Sequence, residues 1–307
     1  MAKPHIAVIG GGLMGVGIAQ TFAAFGYPTT VFEPIQSVRA GIRDRVAENL
    51  TMIGADASPA QAIAVTDDLK QAVANAYYVT EAVPERLELK RAIFSDLVKL
   101  APRDAILASN TSAIPITQIA RGLETADRIV GTHWWNPAYL VPLVEVVQAE
   151  RTSAETIDAA MRLLRAIGKA PAHVRKDLPG FVGNRLQHAL WREAIAMVAE
   201  GVCDAATLDA CVKNSFGMRL PVLGPLENAD LVGLDLTLDI HRTLIPELDR
   251  HDGPHEYLQA KVSEGKLGFK TAEGFKTWTP DEMQALRTRL VEHLVKSQRE
   301  REPLNEK

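Results

Sequence analysis

The stretch IAVIGGGLMGVGIAQ, residues 6–20, constrains this chain more than any other. Gly10, Gly12 and Gly15 stand in G-x-G-x-x-G spacing between a short apolar run and a helical one. In that setting the first glycine permits a tight turn, the second lets backbone approach a pyrophosphate, and the third lets helix and strand pack closely. The helix that follows presents amide donors and a positive dipole end to phosphate. The next apolar run, TTVFE, ends in Glu33, eighteen residues after Gly15. An acid there accepts hydrogen bonds from ribose hydroxyls, and its charge repels a 2′-phosphate, which points to NAD rather than NADP. Leu13 and Met14, inside the loop, belong with the cofactor-contacting positions. A glycine-rich turn without a ligand is the alternative, and the ordered sequence of strand, loop, helix and acid argues against it.

Up to about residue 175, short apolar runs alternate with helical patterns. HIAVIG, TTVFE, AIAVT, YYVTEAV, AILASN, RIVGTHWW and PLVEVV read as strands, nearly continuous in apolar residues as in sheets covered on both faces. MGVGIAQTFAAFG and RLELKRAIFSDLVKLA read as helices between them. This alternation predicts an α/β fold, with a Rossmann-like, mostly parallel sheet domain. After KDLPGF the period changes: Leu186, Leu190, Ala194, Met197 and Val198 fall at helical spacing. Asp204 is placed to cap one later helix, and Thr279, Pro280 and Glu282 to open the last one. The expected domains are residues 1–178, binding the cofactor, and an all-helical C-terminal domain, 179–307. The ending KSQREREPLNEK reads as a charged, frayed tail.

GTHWWNPAYLVPLVEVVQ, residues 131–148, sets His133 and Glu145 among buried-strand residues, where an unpartnered polar group is costly. Histidine suits a general base because its pKa lies near neutral pH, and a carboxylate on its second ring nitrogen fixes the tautomer. On these two residues alone, a catalytic pair and a plain core histidine both remain open. SNTSAIPIT, THWWNP, PLVEVV, KDLPGFVGNRL and EGKLGFKTAEGF, in that order, resemble the L-3-hydroxyacyl-CoA dehydrogenase family over nearly the whole chain. The resemblance implies that His133 is the base and Glu145 its partner. It implies that Ser112 and Asn184 bond the reacting oxygen and hold substrate. It makes Glu85, Lys90, Asn110 and Asn136 cofactor contacts, and the helical domain a site of homodimerisation.

The departures concern the substrate. Family members acting on CoA esters carry a lysine-rich arm after the second strand, whereas residues 35–60 contain no lysine. Arg39, Arg43 and Arg45 are offset there by Asp44, Glu48 and Asp56. GMRLPVLGPLE resembles the branch oxidising free hydroxy acids, the L-gulonate dehydrogenases related to a lens crystallin. Arg219 in it could clamp a carboxylate or stand as an ordinary surface arginine. Rival readings are a 6-phosphogluconate-type hydroxy acid dehydrogenase, which uses a lysine base, and a catalytically silent crystallin-like protein. A net charge of −4 gives no field for nucleic acid or anionic membrane. No apolar run approaches the roughly eighteen residues that span a bilayer. Cys203 and Cys211 lack metal-ligand spacing, so no metal is expected and a cytoplasmic location is.

Overall fold

The computed structural model describes residues 2–300 and divides into two compact units. One comprises the chain up to Arg185 with the stretch from Leu290, the other Leu186–Arg289. In the first unit, eight strands form one sheet: β1 (His5–Ile9), β2 (Thr29–Phe32), β3 (Ala64–Thr66), β4 (Ala76–Glu81), β5 (Ile106–Ser109), β6 (Ile129–Trp134), β7 (Leu143–Val147) and β8 (Ala170–Val174). Their order is β3-β2-β1-β4-β5-β6-β7-β8, and every neighbouring pair is parallel except β6–β7. Helices α1 (Leu13–Ala24), α2 (Gln36–Ala40), α3 (Ile42–Met52), α4 (Leu69–Val73), α5 (Leu87–Leu100), α6 (Ile116–Ala120) and α7 (Ala154–Ala166) connect them.

Apolar layers lie on both faces of the sheet. Along β1, Ile6 and Val8 join one core cluster, and Ala7 and Ile9 join the other. Alternate side chains of a strand point to opposite faces, so a strand buried on both sides must be apolar throughout. β8 breaks that rule and escaped the sequence reading. Its residues APAHV include a proline and two exposed positions, Ala172 and His173. It lies at the sheet edge, where proline is tolerated and the strand is less covered.

The second unit is helical. α8 (Gly183–Ala199) begins in the first unit; α9 (Ala205–Lys213), α10 (Pro225–Val232), α11 (Leu234–Leu244) and α12 (Glu256–Ser263) follow, and α13 (Pro280–Glu300) starts in the second unit and from Leu290 belongs to the first. The caps are those the sequence indicated. Thr207 N donates to Asp204 Oδ1 at 2.7 Å, Thr279 N to Glu282 Oε2 at 2.8 Å, and Glu282 N to Thr279 Oγ1 at 3.2 Å. α13 continues into the charged tail as far as Glu300, and the rest of that tail lies outside the described residues. None of the described helices is long and apolar enough to cross a membrane.

Candidate active site

The three glycines differ in what surrounds them. Gly10 has φ +106°, a backbone state that side chains rarely adopt, and a Cβ there would sit 2.9 Å from Ala82 O. A Cβ on Gly15 would come within 1.8 Å of Gly10 O, so this glycine closes the helix onto the loop. Around Gly12 a Cβ would meet nothing within 4 Å. The loop is tight where it must fold and open where a pyrophosphate approaches. Gly12 puts no side-chain cap on α1 and the first turn carries no acid, which leaves the helix's first amides for an anion. Leu13 is exposed beside them and Met14 half-buried.

Glu33 closes the other side. It is nearly buried; Gly11 N donates to Oε2 at 2.8 Å and Ile35 N to Oε1 at 2.9 Å. Each carboxylate oxygen keeps a lone pair for a ribose hydroxyl. The glycine loop and this fixed acid therefore fit an adenine dinucleotide.

His133 and Glu145 face each other across β6 and β7, directly paired in the antiparallel register. His133 is 4% exposed and Glu145 1%, and Nδ1 lies 2.7 Å from Oε2. Glu145 Oε1 accepts the amides of Val182 at 2.9 Å and Gly183 at 3.0 Å, where α8 begins. Burial by itself raises the pKa of Glu145. The bond from His133 and the two amides outweigh it and hold the carboxyl below its ordinary value. The His133 ring packs against Trp135 and Phe181, with centroids 5.3 and 5.6 Å away. Nothing in the spacing of the sequence marked the two amides as partners of Glu145.

Ser112 is exposed on the loop after β5; its backbone oxygen accepts Asn184 Nδ2 at 3.1 Å. That loop rests on Glu85, whose Oε1 accepts Thr111 Oγ1 at 2.5 Å, Ser112 N at 2.9 Å and Ala113 N at 3.0 Å. Burial pushes the Glu85 pKa up, and the Thr111 hydroxyl, the Lys90 ammonium and the two amides bring it below its ordinary value. Lys90, 1% exposed, bridges Glu85 Oε2 at 3.3 Å and Glu81 Oε1 at 2.8 Å. This places Lys90 beneath the surface, behind Glu85. Asn110 Oδ1 accepts Trp134 N at 2.8 Å, and Asn136 is exposed beyond β6. Arg219 is exposed after the turn Phe216–Met218 in the second unit. Glu81 escaped the sequence reading; the signal was an acid ending a buried strand, nine residues before a lysine.

Each of the three arginines of the arm bonds the protein itself, Arg39 and Arg45 half-buried and Arg43 exposed. Arg39 bonds Glu33 O at 2.8 Å and pairs with Asp67 at 2.8 Å. Arg43 bonds Ile63 O at 2.9 Å. Arg45 reaches Gly41 O, Val38 O and, at 2.9 Å, Gly11 O in the glycine loop.

Residues 5–178 match the family model described as 3-hydroxyacyl-CoA dehydrogenase, NAD binding domain, and residues 180–278 match its C-terminal domain. Among curated proteins, 5-formyl-3-hydroxy-2-methylpyridine 4-carboxylate 5-dehydrogenase of Mesorhizobium japonicum is 36% identical, covering 95% of this chain and 96% of its own. L-carnitine dehydrogenase of Streptomyces griseus is 37% identical over 80% of this chain and 78% of its own. A crystal structure of 5-formyl-3-hydroxy-2-methylpyridine 4-carboxylic acid 5-dehydrogenase, an NAD+-dependent dismutase, superposes with a TM-score of 0.90. It is 33% identical and covers 98% of this chain and all of that one.

Proposed function

The chain belongs to the 3-hydroxyacyl-CoA dehydrogenase family, whose members are NAD-dependent oxidoreductases, and on that premise we propose that it oxidises the 3-hydroxyl of a free hydroxy acid to a ketone. The observation that carries the chemistry is the buried His133–Glu145 contact. With Nδ1–H donated to Glu145, neutral His133 keeps its lone pair on Nε2, the position from which it takes the hydroxyl proton. Glu145 stays ionised, clamped by Val182 and Gly183, and stabilises the imidazolium as it forms. Ser112 and Asn184 steady the reacting oxygen. Bound NAD+ supplies the acceptor for the hydride leaving C3. Glu33 holds the ribose, Asn136 and Glu85 border the cofactor, and Lys90 acts behind Glu85.

The absence of CoA from the substrate is supported by the arm. A CoA ester brings a pyrophosphate and a 3′-phosphate, which call for cations free to meet them. Arg39 and Arg45, half-buried, already serve backbone carbonyls and Asp67, and the exposed Arg43 is the one left facing solvent, with its Nε on Ile63 O. Arg219 is proposed to hold the carboxylate. Residues 1–178 form the cofactor half and 179–307 the substrate-binding half, which also dimerises. A second reading is favoured by the pyridine-carboxylate relative, whose name specifies a formyl group. The hydrate of an aldehyde acid offers the same base a hydroxyl and a hydride on one carbon.

The test is NAD+ reduction with 3-hydroxybutyryl-CoA beside free 3-hydroxybutyrate, L-gulonate, carnitine and an aromatic aldehyde acid. One of the free acids should have the highest kcat/KM, and a CoA ester exceeding all of them overturns the substrate assignment. His133→Gln should lower kcat by roughly a hundredfold to ten-thousandfold with NADH binding retained. Near-normal turnover in that variant overturns the mechanism.

A further inference from the structure

Glu81 ends β4 with a carboxylate that is 0% exposed. A buried carboxylate is expensive unless its oxygens are satisfied. Here Oε1 accepts Val83 N at 2.7 Å and Lys90 Nζ at 2.8 Å, and Oε2 accepts Ser109 Oγ at 2.7 Å. Both oxygens lead to one place. Through Ser109 the path is short: Thr111 N donates to Ser109 Oγ at 3.3 Å. Through Lys90 it passes to Glu85, whose Oε2 faces the ammonium while Oε1 collects Thr111 Oγ1, Ser112 N and Ala113 N. Loop 111–113 is thus tied on both routes to a single buried anion.

We infer that Glu81 is the positioning residue for Ser112, anchoring its loop through Ser109 on one side and through Lys90 and Glu85 on the other. A lysine has a long, flexible stem, and its ammonium holds one position only where its partners fix it. Glu81 fixes it from below. Glu85 is then held by one oxygen, and the other is oriented toward the three donors of the loop. A network of this kind, with each member satisfied, is stiffer than its separate bonds. The inference rests on the proposed role of Ser112 for its kinetic consequence but not for its structural one.

Two measurements separate them. In Glu81→Gln, amide hydrogen exchange at residues 111–113 should quicken by roughly ten- to hundredfold, as expected when bonds to a charged group are lost, with β1 and β2 unchanged. Unchanged exchange in the loop overturns the inference. Kinetically, Glu81→Gln should lower kcat, and combining it with Ser112→Ala should slow turnover no further than Ser112→Ala alone. Fully multiplicative losses overturn it. If Ser112→Ala turns over normally, the role of Ser112 falls, and the exchange result still decides that of Glu81. Should Glu81→Gln fail to fold, Ser109→Ala and Glu85→Gln each cut one route. Each should reproduce part of the exchange change, and protection retained in both overturns the inference.

Discussion

Beyond its proposed part in cofactor choice, Glu33 holds the amides of Gly11 and Ile35 with its two oxygens. Glu33→Ala is expected to narrow the preference for NAD over NADP and to raise KM for NAD+ by roughly tenfold to a hundredfold, through lost bonds to a charged acceptor. Equal kcat/KM for the two cofactors in the unaltered protein would show that the acid does not discriminate. Glu145 is a statement about stability as well. Its folded pKa lies below the ordinary 4.5, so its stabilisation is complete above that value and drains away as pH falls through the lower, folded one. The melting-temperature gap between the protein and Glu145→Gln should therefore be widest at neutral pH and shrink on the acid side of 4.5. A gap independent of pH would mean that the charge contributes nothing. At this scale, the place of Glu33 beside the glycine loop was legible, because a fixed offset from the glycines sets an acid there. His133 and Glu145 could be named as partners but their register could not, because a twelve-residue separation suits several pairings. Glu81 was missed although Lys90 and Ser109 lie on the next two elements, because an acid ending a strand does not show in sequence that its side chain is buried between them.

Among the elements, the start of α8 bears most directly on the site. A Cβ on Gly183 would lie 2.4 Å from Trp135 Cζ2 and 3.1 Å from Cη2. Gly183→Ala must displace the indole or the first turn of the helix, and overpacking of that kind costs about 1–3 kcal/mol. The same turn gives two amides to Glu145, so the variant should lose kcat along with thermal stability. Normal kcat beside a lowered Tm would uncouple the helix start from the dyad. Seven of the strands could be read from their apolar runs, most of them because both sheet faces are covered, whereas β3 at the other edge has no buried residue. β8 could not, since half of it faces water and its proline resembles a breaker. Helix caps were legible wherever Asp204, Thr279 and Glu282 preceded a helical period, because capping needs only local geometry.

On the scale of the molecule, the second unit leaves much apolar surface uncovered. Helices α9 to α12 have no fully buried residue, and Leu226, Leu231 and Leu234 are 80%, 71% and 62% exposed. Exposed apolar area of this kind marks an interface. A second copy of the chain is the proposed cover, and sedimentation should give twice the 33.5 kDa chain mass. Replacing Leu231 and Leu234 by lysine should yield monomers with a lower Tm, since each fully buried leucine is worth about 1.5–3 kcal/mol. A monomer at micromolar concentration in the unaltered protein would overturn that assignment. The two-part architecture was visible in the change from strand to helical period. The uncovered surface was not, because a helix facing its own core and one facing a partner carry the same pattern.

Arg45 reaches from the arm to Gly11 O, and so ties the arm to the turn that cradles the dinucleotide. Lysines added to the arm would bring attraction for a phosphorylated substrate, but an Arg45 recruited to the same task would release the turn and weaken the nucleotide site. The two tasks therefore compete for one side chain: cations for a phosphorylated substrate would have to be placed elsewhere on the arm, with Arg45 kept on Gly11 O.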